Sequence, residues 1–402
     1  MSTAEQKKLK LAYEGSVKRV WQCPWQEDAL LFEFSDDYSI FDWGKMPDRI
    51  QNKGLALTVF GAVFFQKLAS PSFWQDLGRS KMAEHLNKDY LKTLFENSKM
   101  QELEKKGLES HFLGLLNENG ESLSISAAAA SDRPVYMMVR KALVQRPEAF
   151  TVLQQNIFAY PRTDTSAKTR LIPLEIVFRF GMPQGSSLKA RLEKDPSYAK
   201  VLGLGSLPKE GQFFERPVLE FYTKLEPKDR LLSLQEALLI SGLSKEEFTS
   251  LSEIALLSAL ALFKVFAERG IELWDGKFEF LLHEGRIVLA DSIGPDELRL
   301  LYKGTHFSKE IIRQVYRDSA WEKALKESQK LAAERCSLDW KAICKNELKE
   351  SPPKFKPEVK NVLDKLYGSL ANVLSGETLF AEHPNLDEFV ASAEILKAQN
   401  CN

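Results

Sequence analysis

Residues 275–299, DGKFEFLLHEGRIVLADSIGPDELR, decide how this chain is read. They contain two strand-like runs, a tight turn and a charged loop, with Glu279 and Asp291 at opposite ends of the hairpin. Along the first run Phe278, Phe280 and Leu282 alternate with Lys277 and Glu279, which predicts one buried apolar face and one polar face. The return run is Ile287, Val288, Leu289 and Ala290. Glu279 lies six residues before Gly285 and Asp291 six after it, so a hairpin centred on that glycine sets the two carboxylates opposite each other. Such centring requires an odd loop length, because a two-residue Glu284-Gly285 turn puts them on opposite faces. Two carboxylates held close repel unless a cation or proton sits between them, and Mg²⁺ bound by carboxylates plus substrate phosphates is a common solution. Lys277, on the same face, is placed to neutralise phosphate charge. On pattern alone, a surface hairpin whose charges face water fits as well.

The chain has 402 residues, 44% of them hydrophobic and 10% aromatic, which is material for more than one lobe. Its 55 Lys and Arg nearly balance 56 Asp and Glu. No global field therefore favours nucleic acid or an anionic membrane, and an anionic ligand must be recognised by local groups. The N-terminus, MSTAEQKKLKLAYEG, lacks an apolar core of signal-peptide length, and the apolar stretch 254–267 is interrupted by Ser258 and Lys264 and too short to span a bilayer. Cys23, Cys336, Cys344 and Cys401 form no CxxC pair, which argues against a disulfide framework or a zinc site. His85, His111, His283, His306 and His383 are too scattered for a transition-metal site. A cytoplasmic protein without a nucleic-acid or membrane partner is expected.

Organisation is β-rich at first: the runs LAYEGSVKRVWQ and ALLFEFSDDYSIFDW flank the polar CPWQED region and read as a hairpin. Helix is expected over 54–68 and again between 73 and 105, then a polar turn at 117–122 and strands at 135–144 and 171–180. From Ser233 the pattern is helical, and the capping box Ser244 to Glu247 opens a strongly apolar helix that Gly270 stops. After Gly304, Ile311, Val315, Trp321, Leu325 and Leu331 recur at helical spacing. SPPKFKP at 351–357 breaks that run before a helix with Val359, Val362, Leu363, Leu366 and Tyr367 on one face. The tail reads as a helical appendage.

Three further constellations carry chemistry. In YEGSVKR at 13–19, Gly15 between two short strands lets the backbone approach a phosphate, with Lys18 close behind. In PLEIVFRFGMPQGSSLKARL at 173–192, Arg179 is read at a strand end, and a glycine-bearing loop leads to Ser186 and Ser187. An arginine fork with hydroxyls suits a phosphomonoester or carboxylate, and a helix N-cap is compatible with it. In FSDDYSIFDWG at 34–44, Asp36, Ser39 and Asp42 occupy a turn that fits an Asx-type turn equally well. GLGS at 203–206 is assigned to a loop.

Taken in order over residues 10–302, YEG-x-x-K, FSD-x-x-S-x-FDW, NKG at 52–54, SHF at 110–112, IPLEIVFR, GSS, the 224–229 segment and DGKFEF followed by VLAD-x-x-x-PDE-x-R resemble the SAICAR synthetase family. The resemblance implies an α+β, two-lobed fold of ATP-grasp and kinase-like character, with antiparallel sheets, ATP held between a smaller β-rich and a larger α+β lobe, and a C-terminal helical extension. The expected segments are 1–135, 136–308 and 309–402. The implied reaction is the ATP-dependent joining of L-aspartate to carboxyaminoimidazole ribotide through an acyl phosphate, giving the succinocarboxamide, ADP and phosphate.

The same resemblance implies the site. Lys277, Lys18 and Asp296 are the catalytic candidates; Tyr13, Gly15, Lys18, Lys224, Glu279 and Asp291 hold ATP; and Glu279 with Asp291 binds Mg²⁺. Arg179, Ser186 or Ser187, Arg299, Asp36 and Ser39 hold the ribotide. The small-molecule substrates are the partners expected, with a homodimer as the assembly considered. The chain departs from the family pattern at Ser16, where lysine is usual, at Ser292, where glutamate is common, and at Leu298, where serine is common. Those departures motivate a second reading, a non-catalytic relative that binds nucleotide or ribotide.

Overall fold

The computed structural model describes residues 9–398 except 81, 154, 162, 163, 165, 336 and 338, so Cys336 and Cys401 lie outside the description. Two compact units emerge, one from 1–60, 114–138 and 301–402 and the other from 61–113 and 139–300. These bounds differ from the three contiguous segments expected. The tail joins the first unit because its aromatic side chains complete a core begun near the N-terminus.

In that first unit the strands Lys10–Glu14, Lys18–Gln22 and Ala29–Phe34 form an antiparallel meander. Tyr38, fully buried on the loop after it, shares a 2.8 Å hydroxyl hydrogen bond with Tyr316 and stacks on Phe355 with ring centroids 5.4 Å apart. Trp43 meets Trp321 edge-on at 5.4 Å. The Phe355 backbone N–H donates to Asp48 at 2.6 Å, and that of Gln51 donates to Asp364 at 2.8 Å. Helices Lys309–Tyr316, Ala320–Glu334 and Pro357–Ser375 therefore bury their apolar stripes against residues 38–51. They are part of a core, and the appendage expected from the sequence is corrected accordingly. Val359, Val362, Leu363, Leu366 and Tyr367 are all buried, as their helical spacing predicts.

The second unit is an antiparallel sheet covered by the long helix Lys245–Ala267, whose Ser244–Glu247 capping box is formed. Its strands run in the order Leu231–Leu232, Gln212–Thr223, Leu174–Met182, Glu272–His283 and Leu298–Tyr302, with Arg286–Ala290 and Thr169–Leu171 also paired to Glu272–His283. The helix is long and apolar enough to cross a membrane by composition, but 67% of its most apolar window is buried inside the fold, where it packs on the central strands. A helix apolar all round belongs in a core of this kind.

The 272–283 strand is paired along both edges and covered on both faces: from Leu273 to His283 only Lys277 and Leu282 are less than fully buried. The one-faced alternation expected there is thus overridden by burial of both faces. A Cβ on Gly276 would sit 2.6 Å from both Leu298 Cδ2 and Phe178 Cζ. Gly276→Ala therefore overpacks the sheet and should cost about 1–3 kcal/mol, read as a lower urea midpoint. An unchanged midpoint would show that Leu298 yields freely.

Burial lowers the pKa of His85, and also that of His383 although Asp364 and Glu382 pull the other way. The unfolded chain thus binds protons more readily than the fold just below about pH 6.5, so stability should fall as pH drops through that value. Urea midpoints between pH 7.5 and 5.5 test this, and a flat profile contradicts it.

Candidate active site

The hairpin closes with a two-residue turn. Glu284 and Gly285 both have positive φ, 50° and 76°, as a type I′ turn requires. Glu279 consequently pairs with Ala290, and the odd loop expected from centring on Gly285 does not form. Asp291 nevertheless acts on Glu279, because its own left-handed backbone at φ 62° breaks the strand alternation just where regular pairing would carry it to the other face.

Four charged groups interlock on these strands. Lys224 Nζ lies 2.8 Å from Glu175 Oε1 and 2.6 Å from Glu279 Oε1. Lys277 Nζ lies 2.8 Å and 3.3 Å from the same two oxygens. Burial opposes charge on Lys277, but Glu279, Glu175, Asp291 and Glu297 outweigh it and hold its pKa well above the ordinary lysine value. Lys224 is raised for similar reasons, with Glu279 the strongest opposing influence to burial. Both amines are permanent cations and neither is a base at neutral pH. Burial, followed by the proximity of Asp291, raises the pKa of Glu279, whereas Glu175 is lowered because Lys277 and Lys224 overcome its burial.

A second cluster surrounds Arg179. That residue sits within the 174–182 strand, not at its end, and is 4% exposed. Its Nε donates to Glu220 at 2.6 Å and Nη1 to Asp275 at 3.0 Å. Burial opposes the guanidinium charge, but Glu220 and Asp275 raise its pKa further above the ordinary value. Ser186 is buried as the N-cap of helix Ser187–Lys194, leaving exposed Ser187 as the hydroxyl that meets Arg179 and Arg191. The two serines left as alternatives by the sequence thus have separate roles. Arg299 reaches Asp275 at 3.5 Å, and Asp296 is half-buried on the loop before it.

The remaining candidates lie in the first unit. Tyr13 is 57% exposed on the first strand, Gly15 turns the chain with its N–H on the Lys18 carbonyl, and the Lys18 ammonium stands 4.1 Å over the Phe32 ring. Asp36 accepts the Gly54 N–H at 3.0 Å, which pins the loop carrying half-buried Ser39 to the start of helix Lys53–Leu68.

Glu175, Glu220 and Asp275 escaped assignment from the sequence. Each is one acidic residue inside an apolar strand run, LEIVF, VLEFY and LWDGKF. A buried strand does not keep an unpaired carboxylate, so that pattern is the signal that identifies them.

The antiparallel sheet thus presents paired lysines and carboxylates and, on the same strands, an arginine and serine cluster, groups of the kind that phosphoryl transfer between anionic substrates uses. The SAICAR synthetase family model matches residues 11–86 and 78–328. The chain belongs to the SAICAR synthetase family, ATP-dependent ligases of purine biosynthesis. It is 30% identical over 369 residues to a candidate phosphoribosylaminoimidazole-succinocarboxamide synthase of Archaeoglobus fulgidus, spanning 91% of this chain and 94% of that one. With the phosphoribosylaminoimidazole-succinocarboxamide synthase of Thermoplasma acidophilum it shares 27% over 330 residues, 80% of this chain and 88% of that one. A solved structure of the Saccharomyces cerevisiae SAICAR synthase complexed with SAICAR superposes with a TM-score of 0.50 at 19% identity, covering 94% of this chain and 98% of that one, a likeness of fold.

Proposed function

We propose that this chain joins L-aspartate to carboxyaminoimidazole ribotide at the expense of ATP, with the interlocked Glu175, Lys224, Lys277 and Glu279 as its phosphoryl-transfer centre. The observation that carries this reading is the sharing of Glu175 and Glu279 by two permanently charged amines beside Asp291. Three carboxylates (175, 279, 291) against two ammonium groups (224, 277) leave a net charge of −1, so a divalent cation fits the donor set. Glu279 and Asp291 would hold Mg²⁺, which offsets phosphoryl charge when bound. Among the described residues no group of three or more His, Cys, Asp or Glu is arranged to hold a metal, so nucleotide phosphates would complete its coordination.

In the reaction, a ribotide carboxylate oxygen attacks the γ-phosphorus and ADP leaves; the aspartate amine then attacks the acyl carbon, gives its proton to solvent and expels phosphate. Lys277 and Lys224 stabilise the transferring group by charge alone. Ser187 and Arg299 grip the ribotide phosphate, Arg179 supports them from beneath, and Asp296 orients the ribotide. Leu298, where serine is common, is 4% exposed and packs at Gly276, so that departure belongs to the core. Family membership favours the ligase over the binding-only relative. We place the reaction in the cytoplasm and take a homodimer as the assembly to be tested by sedimentation. Purified protein given Mg-ATP, aspartate and the ribotide should release ADP and form the succinocarboxamide; no product with folded protein defeats the proposal.

A further inference from the structure

We propose that Glu220 is a positioning residue for this ligase, holding Arg179 and Arg191 so that both aim N–H groups at the Ser187 hydroxyl. The inference rests on the ribotide-phosphate reading of Ser187 and Arg299.

Glu220 lies on the 212–223 strand with a side chain shielded from water, opposite Val177 of the neighbouring strand. Its Oε2 accepts Arg179 Nε at 2.6 Å, while Arg191 Nη2 straddles both oxygens at 2.7 and 2.9 Å. Tyr198 donates to Oε1 at 2.9 Å and Tyr222 stands 3.5 Å from Oε2. Two guanidinium groups from different elements, a strand and the 187–194 helix, are thereby locked to one carboxylate. Each has a further nitrogen 3.4 Å from Ser187 Oγ, Nη2 of Arg179 and Nη1 of Arg191.

Those last two contacts are long, and Ser187 is exposed, so an anion's oxygens displace them at little cost. Beyond Arg179 the alternation continues through Asp275 at 3.0 Å to Arg299 at 3.5 Å. Three arginines against Glu220 and Asp275 leave a net charge of +1, which matches a phosphomonoester better than a neutral group. Glu220 itself is too deeply buried to touch a substrate. Its effect passes through the arginines: with a neutral side chain in its place, Arg191 loses its anchor and swings toward solvent.

The test compares the unaltered protein with Glu220→Gln, using ribose 5-phosphate binding by calorimetry and steady-state kinetics. Ribose 5-phosphate affinity should fall tenfold or more and ribotide KM rise as much, with ATP KM unchanged and kcat within about twofold. Unchanged ribose 5-phosphate affinity in folded Glu220→Gln overturns the inference, as does a fall in kcat that leaves ribotide KM untouched. Should Glu220→Gln be recovered unfolded, Tyr198→Phe, which keeps the charge and removes one hydrogen bond, carries the same test at about threefold; no change in it also overturns the inference. Ribose 5-phosphate binding that depends on Glu220 in a protein making no succinocarboxamide would instead defeat the ligase reading alone.

Discussion

Glu279→Gln should lower turnover by about 10²–10³-fold, about 3–4 kcal/mol of lost transition-state stabilisation, while the urea midpoint stays level or rises. The two halves of this expectation share one cause. Burial and Asp291 raise the Glu279 pKa, so the folded protein binds a proton there more readily than the unfolded chain does. The charged form is therefore maintained at a cost to stability above the ordinary carboxylate range, and an uncharged amide removes that cost. On the proposed reading, the charge is retained for the metal-bound nucleotide. Kinetics and urea unfolding of the same preparation decide the matter. A variant that turns over within twofold of the unaltered protein would remove Glu279 from the site, and one that unfolds much more easily would show that its ion pairs with Lys224 and Lys277 are chiefly structural.

Removing residues 309–402 should leave the first unit without a cooperative fold. The deletion takes away Tyr316, Trp321 and Phe355, which pack on Tyr38 and Trp43. Truncating one buried aromatic costs about 3–5 kcal/mol, and losing several exceeds the roughly 5–15 kcal/mol that hold a domain. Limited proteolysis and circular dichroism of the 1–308 chain would show cleavage throughout 9–60 and loss of cooperative melting. The milder Trp321→Ala should cost about 3–5 kcal/mol in the full chain. A 1–308 chain that melts cooperatively with 9–60 protected would return the tail to the status of an appendage.

The charged residues of the site were legible unevenly, for physical reasons. Glu279 and Asp291 were singled out because two carboxylates at the ends of a hairpin need a counter-ion, although a water-facing hairpin fitted the pattern as well and the odd loop expected to face them does not form. Glu175 and Glu220 were quieter, since a single acid in an apolar run names no partner. Their partners lie 49 and 41 residues away in sequence, at Lys224 and Arg179, and only strand pairing brings them within hydrogen-bond reach. The serines after Arg179 show the same division: a hydroxyl pair at a helix start was visible, and capping geometry then committed Ser186 to the backbone and left Ser187 outward.

By itself the sequence determined the capped apolar helix, the helical stripes of the tail, the family motifs in their order and the charges available for chemistry, because these depend on neighbours within a few residues. Tertiary structure alone decided the two-residue turn, the left-handed Asp291 that restores its reach toward Glu279, the carboxylate beneath the arginines and the tail's place in the first core. Those outcomes depend on register, burial and long-range contact, and a local pattern of side chains carries none of the three.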